Sequence, residues 1–219
     1  MTPFARRIVT GHDESGKSIV VCDGRPPQHH SMRGPSVGAD FNEIWNVPLA
    51  VPLLTSVEAH EPNERDFTIM PVAGHLLRIL EIYPPKAGGK RTVMHRTQTL
   101  DYVVMIEGEL VLLLDDSEVI LKPGDVVVQR GTNHAWENRS DKIARAAFFH
   151  IDAQFSEELL AKLGEWGSNL GGAIVGALSN TTIGTLQAVF QTFILERPVP
   201  LGRGRGSLCR ASWRRQGPC

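Results

Sequence analysis

Between residues 76 and 152 the chain is a series of short aliphatic and β-branched runs: LLRILEIY, DYVVMI, ELVLLL, EVILK, DVVVQ and ARAAFFHI. They are cut by PPKAGGK, EG, DDS, PGD and RGTNHAWENRSDK, segments rich in turn residues. Runs of this length separated by turn signals predict an antiparallel sandwich or barrel and not an alternating α/β fold. A buried helix over 102–114 conflicts with the β-branched residues, with Gly108 and with the tight Asp115-Asp116-Ser117 turn.

Four segments follow from this core. Residues 1–72 supply N-terminal strands and a wrapping segment, of which 25–72 is less regular and Pro-rich, with candidate strands at FNEIWNV (41–47) and FTIMPV (67–72). They are expected to wrap the barrel or to pair with a second subunit, giving a homodimer. Residues 73–153 form the barrel core. Residues 154–196 begin with SEELLAKLGEW (156–166), a helix capped by Ser156, with Leu159, Leu160 and Leu163 on one face. Residues 197–219 hold little apolar surface and are expected to be disordered.

The net charge of −1 conceals an asymmetry. The five arginines of residues 201–219 stand without an acid, which leaves residues 1–200 with 18 basic against 24 acidic groups. An acidic body offers no broad footprint for nucleic acid. Three scattered cysteines make neither a disulfide framework nor a zinc site, so a reducing, cytoplasmic compartment is expected. MTPFARRIVT lacks the apolar stretch of a secretory signal, and the apolar segment 169–195 is broken by Ser179, Asn180, Thr181 and Thr182, so no membrane association is expected.

GHDESGKS (11–18) matches the letters of a phosphate-binding loop. The following IVVCDGRPP reads as a strand and not a helix, and Asp13 and Glu14 would repel phosphate oxygens. The segment is expected to be a hairpin turn between RRIVT and SIVV, with no nucleotide bound.

Two stretches carry chemistry. Gly89, His95, Thr97, Asp101 and Gly108 are spaced along GKRTVMHRTQTLDYVVMIEG, and Gln129, Gly131, His134 and Asn138 along QRGTNHAWEN. These resemble the two sequence motifs of the cupin family, with Thr97 in place of a second histidine, Asp101 in place of a glutamate and Gln129 in place of a proline. The resemblance implies an all-β fold, a jelly-roll β-barrel with a short C-terminal helical segment and a basic tail. It also implies that His95, Asp101 and His134 hold one divalent metal ion (Fe, Mn, Ni or Zn), the alternative being that no ion is held. Extended backbone would put His95, Thr97, Thr99 and Asp101 on one strand face.

The N-terminal segment and HRTQTLDY are similar to small cupins of microbial catabolic and fungal natural-product gene clusters. That kinship implies a lyase, a decarboxylase or dehydratase, acting on a small organic acid or polyketide-type metabolite. His134, Asp101 and His95 would be the catalytic groups, with the metal or His134 polarising the substrate and Asp101 or a histidine moving the proton. A metal-dependent dioxygenase and a non-catalytic small-molecule-binding cupin are the alternatives. Among other candidates, His29 and His30 are expected in a solvated loop, and Asn133 and Trp136 at a pocket rim. His75 and Glu81 are expected to face the barrel, with Arg78 on the opposite face.

Overall fold

A computed structural model describes residues 5–34, 37–49, 51–55, 67–68 and 74–164. The chain divides into two compact units, Met1–Ala161 and Lys162–Cys219, and the described part of the second is residues 162–164. The expectations for residues 69–72, 165–196 and the basic tail lie outside the described residues.

The first unit opens with an antiparallel hairpin, β1 (Arg7–His12) and β2 (Ser18–Gly24). Its turn is the GHDESGKS segment. The Asp13 carboxylate accepts the backbone N–H groups of Ser15 and Lys17 at 2.9 and 3.0 Å, and Gly16 takes a φ of 80°. The loop N–H groups that a phosphate would need are therefore committed to the protein's own carboxylate. A strand follows, as the β-branched run required.

The remaining strands are β3 (Gln28–Gly34), β4 (Val37–Val47), β5 (His75–Ile82), β6 (Thr99–Glu107), β7 (Leu110–Leu113), β8 (Glu118–Leu121), β9 (Val126–Arg130), β10 (Ala135–Glu137) and β11 (Ala144–Asp152). They form a six-stranded sheet in the order β3-β4-β5-β11-β6-β9 and a three-stranded sheet in the order β10-β7-β8. One core joins them, with Phe41, Ile82, Val103, Met105 and Phe148 from the large sheet and Leu110, Leu112, Leu121 and Trp136 from the small one. This is a jelly-roll sandwich whose barrel stays open, since no ladder links the two sheets among the described residues. A helix, α1, starts at residue 157, where Ser156 Oγ accepts the Leu159 N–H at 3.2 Å. No helix among the described residues is long and apolar enough to cross a membrane.

Alternation assigns the faces. In β6, Thr99, Asp101, Val103 and Met105 are buried, and in β11 Ala144, Ala146 and Phe148 are. Phe148 lies opposite Arg78 in β5, and Arg78 opposite Glu43 in β4, so Arg78 belongs to the interior face. This corrects the sequence-based parity. The interior residues of β5 are those in step with Leu80 and Ile82, and the odd-numbered Glu81 pairs outside with Arg145, whose Nη2 is 2.9 Å away. His29 and His30 likewise sit on strand β3 and not in a loop, with His29 Nδ1 3.1 Å from Asn42 Oδ1.

Gly108 turns the chain between β6 and β7 with a φ of +77°, and a Cβ there would lie 2.5 Å from the Ile143 carbonyl oxygen. Gly124 has a similar φ, +93°, but open space around it. Backbone strain alone costs a side chain about 1–3 kcal/mol in this region. Gly124→Ala is therefore expected to show strain only, and Gly108→Ala strain plus a backbone clash. Urea midpoints check this, with the larger loss expected at Gly108.

Candidate functional site

Register builds the site. On the interior face of the large sheet, His150 of β11 lies opposite Asp101 of β6, and Asp101 opposite Gln129 of β9. The three side chains form one cross-strand row. His150 Nδ1 donates to Asp101 Oδ1 at 3.0 Å, and Gln129 Nε2 donates to Asp101 Oδ2 at 3.3 Å. Thr99 Oγ1 donates to Thr97 Oγ1 at 2.7 Å, which leaves the Thr97 hydroxyl to face the same carboxylate at 3.5 Å.

Just beyond the row, His95 and His134 form an isolated antiparallel bridge, each backbone N–H bonding the other's carbonyl at 2.9 Å. That bridge brings the two rings to a centroid distance of 4.2 Å. His95 Nδ1 donates to the Val93 carbonyl and His134 Nδ1 to the Thr132 carbonyl, both at 2.9 Å. Gln129 Nε2 lies 3.0 and 3.1 Å from the two ring nitrogens of His134. With Nδ1–H committed to Thr132, the near-equal distances place the amide over the face of the His134 ring and not in line with either nitrogen.

The structure thus brings together all three sequence-predicted residues, with His95 half-buried and Asp101 and His134 buried. Two members escape the sequence reading. His150 could have been found from parity, because it is in step with Ala144, Ala146 and Phe148. Gln129 replaces a motif proline, and nothing in its letter reveals that it spans Asp101 and His134. Trp136 lies buried on β10, edge-on to both His134 at 5.8 Å and Phe148 at 5.4 Å, and Asn133 bonds Asp115 at 2.6 Å on an exposed loop.

Burial sets the protonation of the rings. Desolvation lowers His95 below its ordinary value. His134 is pushed down to about 4, first by desolvation and then by the neighbouring His95. Two neutral imidazoles, each oriented through Nδ1 by a backbone carbonyl, are the form in which histidine holds metal or accepts a proton. The carboxylate is arranged differently. Both Asp101 oxygens are engaged by His150, Gln129 and Thr97, and no three His, Cys, Asp or Glu side chains among the described residues group closely enough to hold an ion. As arranged, the donor set does not fit the expected metal.

The depressed His134 value links stability to pH. Above pH 6.5 the ring is neutral in both folded and unfolded chains, so its contribution is constant. As pH falls from 6.5 towards 4 only the unfolded chain takes up the proton, and stability is lost. The loss is expected to reach roughly 3 kcal/mol, at ~1.4 kcal/mol for each tenfold difference in proton affinity between the two states. Urea unfolding of chelator-treated protein at pH 7 and pH 4.5 measures it. His134→Gln should flatten the dependence, and an unchanged slope would show that His134 is not held neutral.

Comparison with known proteins agrees with this architecture. Residues 79–151 match the cupin domain family Cupin_2. The chain is 35% identical to the phomopsin biosynthesis cluster protein C' of Diaporthe leptostromiformis, over 68% of this chain and 78% of that protein. It is 33% identical to the oryzines biosynthesis cluster protein J of Aspergillus oryzae, over 74% and 93%. It is 31% identical to the cupin-domain-containing oxidoreductase srdB of Neurospora crassa, over 68% and 74%. With its open jelly roll, its two motif histidines bridged and relatives of this extent, the chain belongs to the cupin superfamily and is kin to proteins of fungal biosynthesis clusters.

Proposed function

We propose that this cupin is a lyase, a dehydratase or decarboxylase, acting on a small organic acid or polyketide-type metabolite. The observation that supports it most is the pairing of a buried carboxylate, Asp101, with His150 beside the neutral rings of His95 and His134. Such a set moves protons without a redox partner.

In a dehydration, His95 Nε2 takes a proton from the carbon next to a carbonyl, and the C–H electron pair moves into the enolate. The imidazolium then returns that proton to the β-hydroxyl as the C–O bond breaks, and water leaves. His95 suits this role because it is the more accessible of the two bridged histidines and its Nδ1 is fixed by Val93. His134 is held by the Thr132 carbonyl and covered by the Gln129 amide, and its backbone bridge positions His95. Asp101 fixes the orientation of His150.

A metal-dependent oxygenase is the second reading, and the oxidoreductase names of several relatives favour it. It requires His95 and His134 as ligands of one divalent ion, with the Asp101 carboxylate turned away from His150 to join them. A homodimer belongs to the same proposal. The β1–β2 hairpin pairs with no other strand among the described residues and leaves Ile8, Val20 and Val21 about half-exposed, whereas an isolated hairpin is marginal in water.

Incubation with extracts of the host under argon and in air, followed by mass spectrometry, tests the reaction. The lyase reading expects loss of water or carbon dioxide in both atmospheres, and His95→Gln should slow turnover by roughly 100-fold or more. Incorporation of oxygen atoms only in air would overturn it in favour of the oxygenase.

A further inference from the structure

The hydrogen bonds of the site are unevenly shared. His95 spends its Nδ1–H on Val93 and His150 spends its own on Asp101, so each ring carries a lone pair on Nε2. Neither Nε2 has a hydrogen-bond partner among the described residues. Gln129 adds a third acceptor, because its Oε1 is buried without a hydrogen-bond partner among them. The amide cannot be reversed to hide that oxygen, since Nε2 is the end that faces the Asp101 carboxylate at 3.3 Å.

Donors are spent inside the site. Thr99 donates to Thr97, and the Thr97 hydroxyl faces Asp101. Arg78, the interior cation of the large sheet among the described residues, is bonded to Glu43 at 2.9 Å and to the Thr68 carbonyl at 3.1 Å. A carboxylate entering here would meet lone pairs and the Asp101 charge, and among the described residues the one interior cation of the large sheet is already paired with Glu43. An ammonium would give up its hydration among buried side chains, with the Asp101 carboxylate already engaged by His150, Gln129 and Thr97.

We propose that the site takes a neutral hydroxyl donor, a phenol or an enol, whose O–H bonds to Nε2 of His150, with Asp101 as the residue that positions that ring. This narrows the substrate of the reading above to the polyketide-type class and rests on the same group of residues. Binding is measured apart from turnover, so either claim can fail without the other. Asp101 acts through tautomer choice. As a carboxylate it accepts Nδ1–H and leaves Nε2 as an acceptor. An asparagine amide in its place would donate to Nδ1 and move the ring proton to Nε2, turning the acceptor into a donor.

Titration calorimetry of the full-length chain with resorcinol, benzoate and benzylamine tests the proposal. Resorcinol is expected to bind saturably, and the two charged probes at least about tenfold more weakly. His150→Asn keeps a donor towards Asp101 but removes the Nε2 end, and should cost resorcinol about tenfold in affinity. Asp101→Asn should shift the preference from resorcinol towards benzoate, which loss of packing alone would not do. Wild-type protein that binds benzoate or benzylamine as tightly as resorcinol, or does not bind resorcinol, would overturn the assignment. So would an unchanged preference in Asp101→Asn together with unchanged resorcinol affinity in His150→Asn.

Discussion

Everything at the polar end of this barrel depends on strand register. His150, Asp101 and Gln129 meet because β11, β6 and β9 pair so that those positions fall opposite one another. A slip of one residue in β6 would turn Thr99, Asp101, Val103 and Met105 outwards together, losing the carboxylate and half the strand's core contacts at once. The apolar half of the strand therefore fixes the polar half. Val103 and Met105 are almost fully buried and leave the register no freedom. The His95–His134 bridge repeats the logic outside the strands, using two backbone hydrogen bonds to set two tilted rings side by side.

The interior is layered. Next to the site, Phe148 and Val103 belong to the same cross-strand ladder as Arg78 and Glu43, an ion pair almost wholly removed from water. Burying two charges is expensive, and the cost is offset by their mutual attraction and by the Arg78 guanidinium lying 5.6 and 5.9 Å from the Phe41 and Phe67 rings. Its consequence for function is negative in sign. With Arg78 committed to structure, the imidazole end stays rich in acceptors. On the outer face a separate network, Glu81 with Arg145 and Asp40 with Tyr83, Ser31 and Arg33, ties β3, β4, β5 and β11 without touching the site.

Much of this is legible in the letters. The strand runs between 76 and 152 correspond closely to β5–β9 and β11, because alternation and turn residues act locally. The hairpin at GHDESGKS is legible because Asp13 and the β-branched run behind it rule out a phosphate cradle. The family motif leads to His95, Asp101 and His134, and the three do converge. What the letters hide are relations between strands. Sequence parity counted from His75 puts the odd-numbered residues of β5 inside, although Leu80 and Ile82 define the core-facing phase and carry Arg78 inwards. His29 and His30 read as loop residues, yet β3 exists because β4 offers it an edge. The hydrogen bond of His150 to Asp101 arises from pairing between segments 49 residues apart, and neither motif contains His150.

One carboxylate and two backbone carbonyls hold Nδ1 of three imidazoles, and the tautomers of those rings can be read directly. Long-range nitrogen–proton correlation NMR on the histidine rings of chelator-treated protein at pH 7.5 does so. His95, His134 and His150 are all expected to carry their proton on Nδ1. An Nε2–H form at His150 would contradict this, because Asp101 could not then be the acceptor that positions the ring.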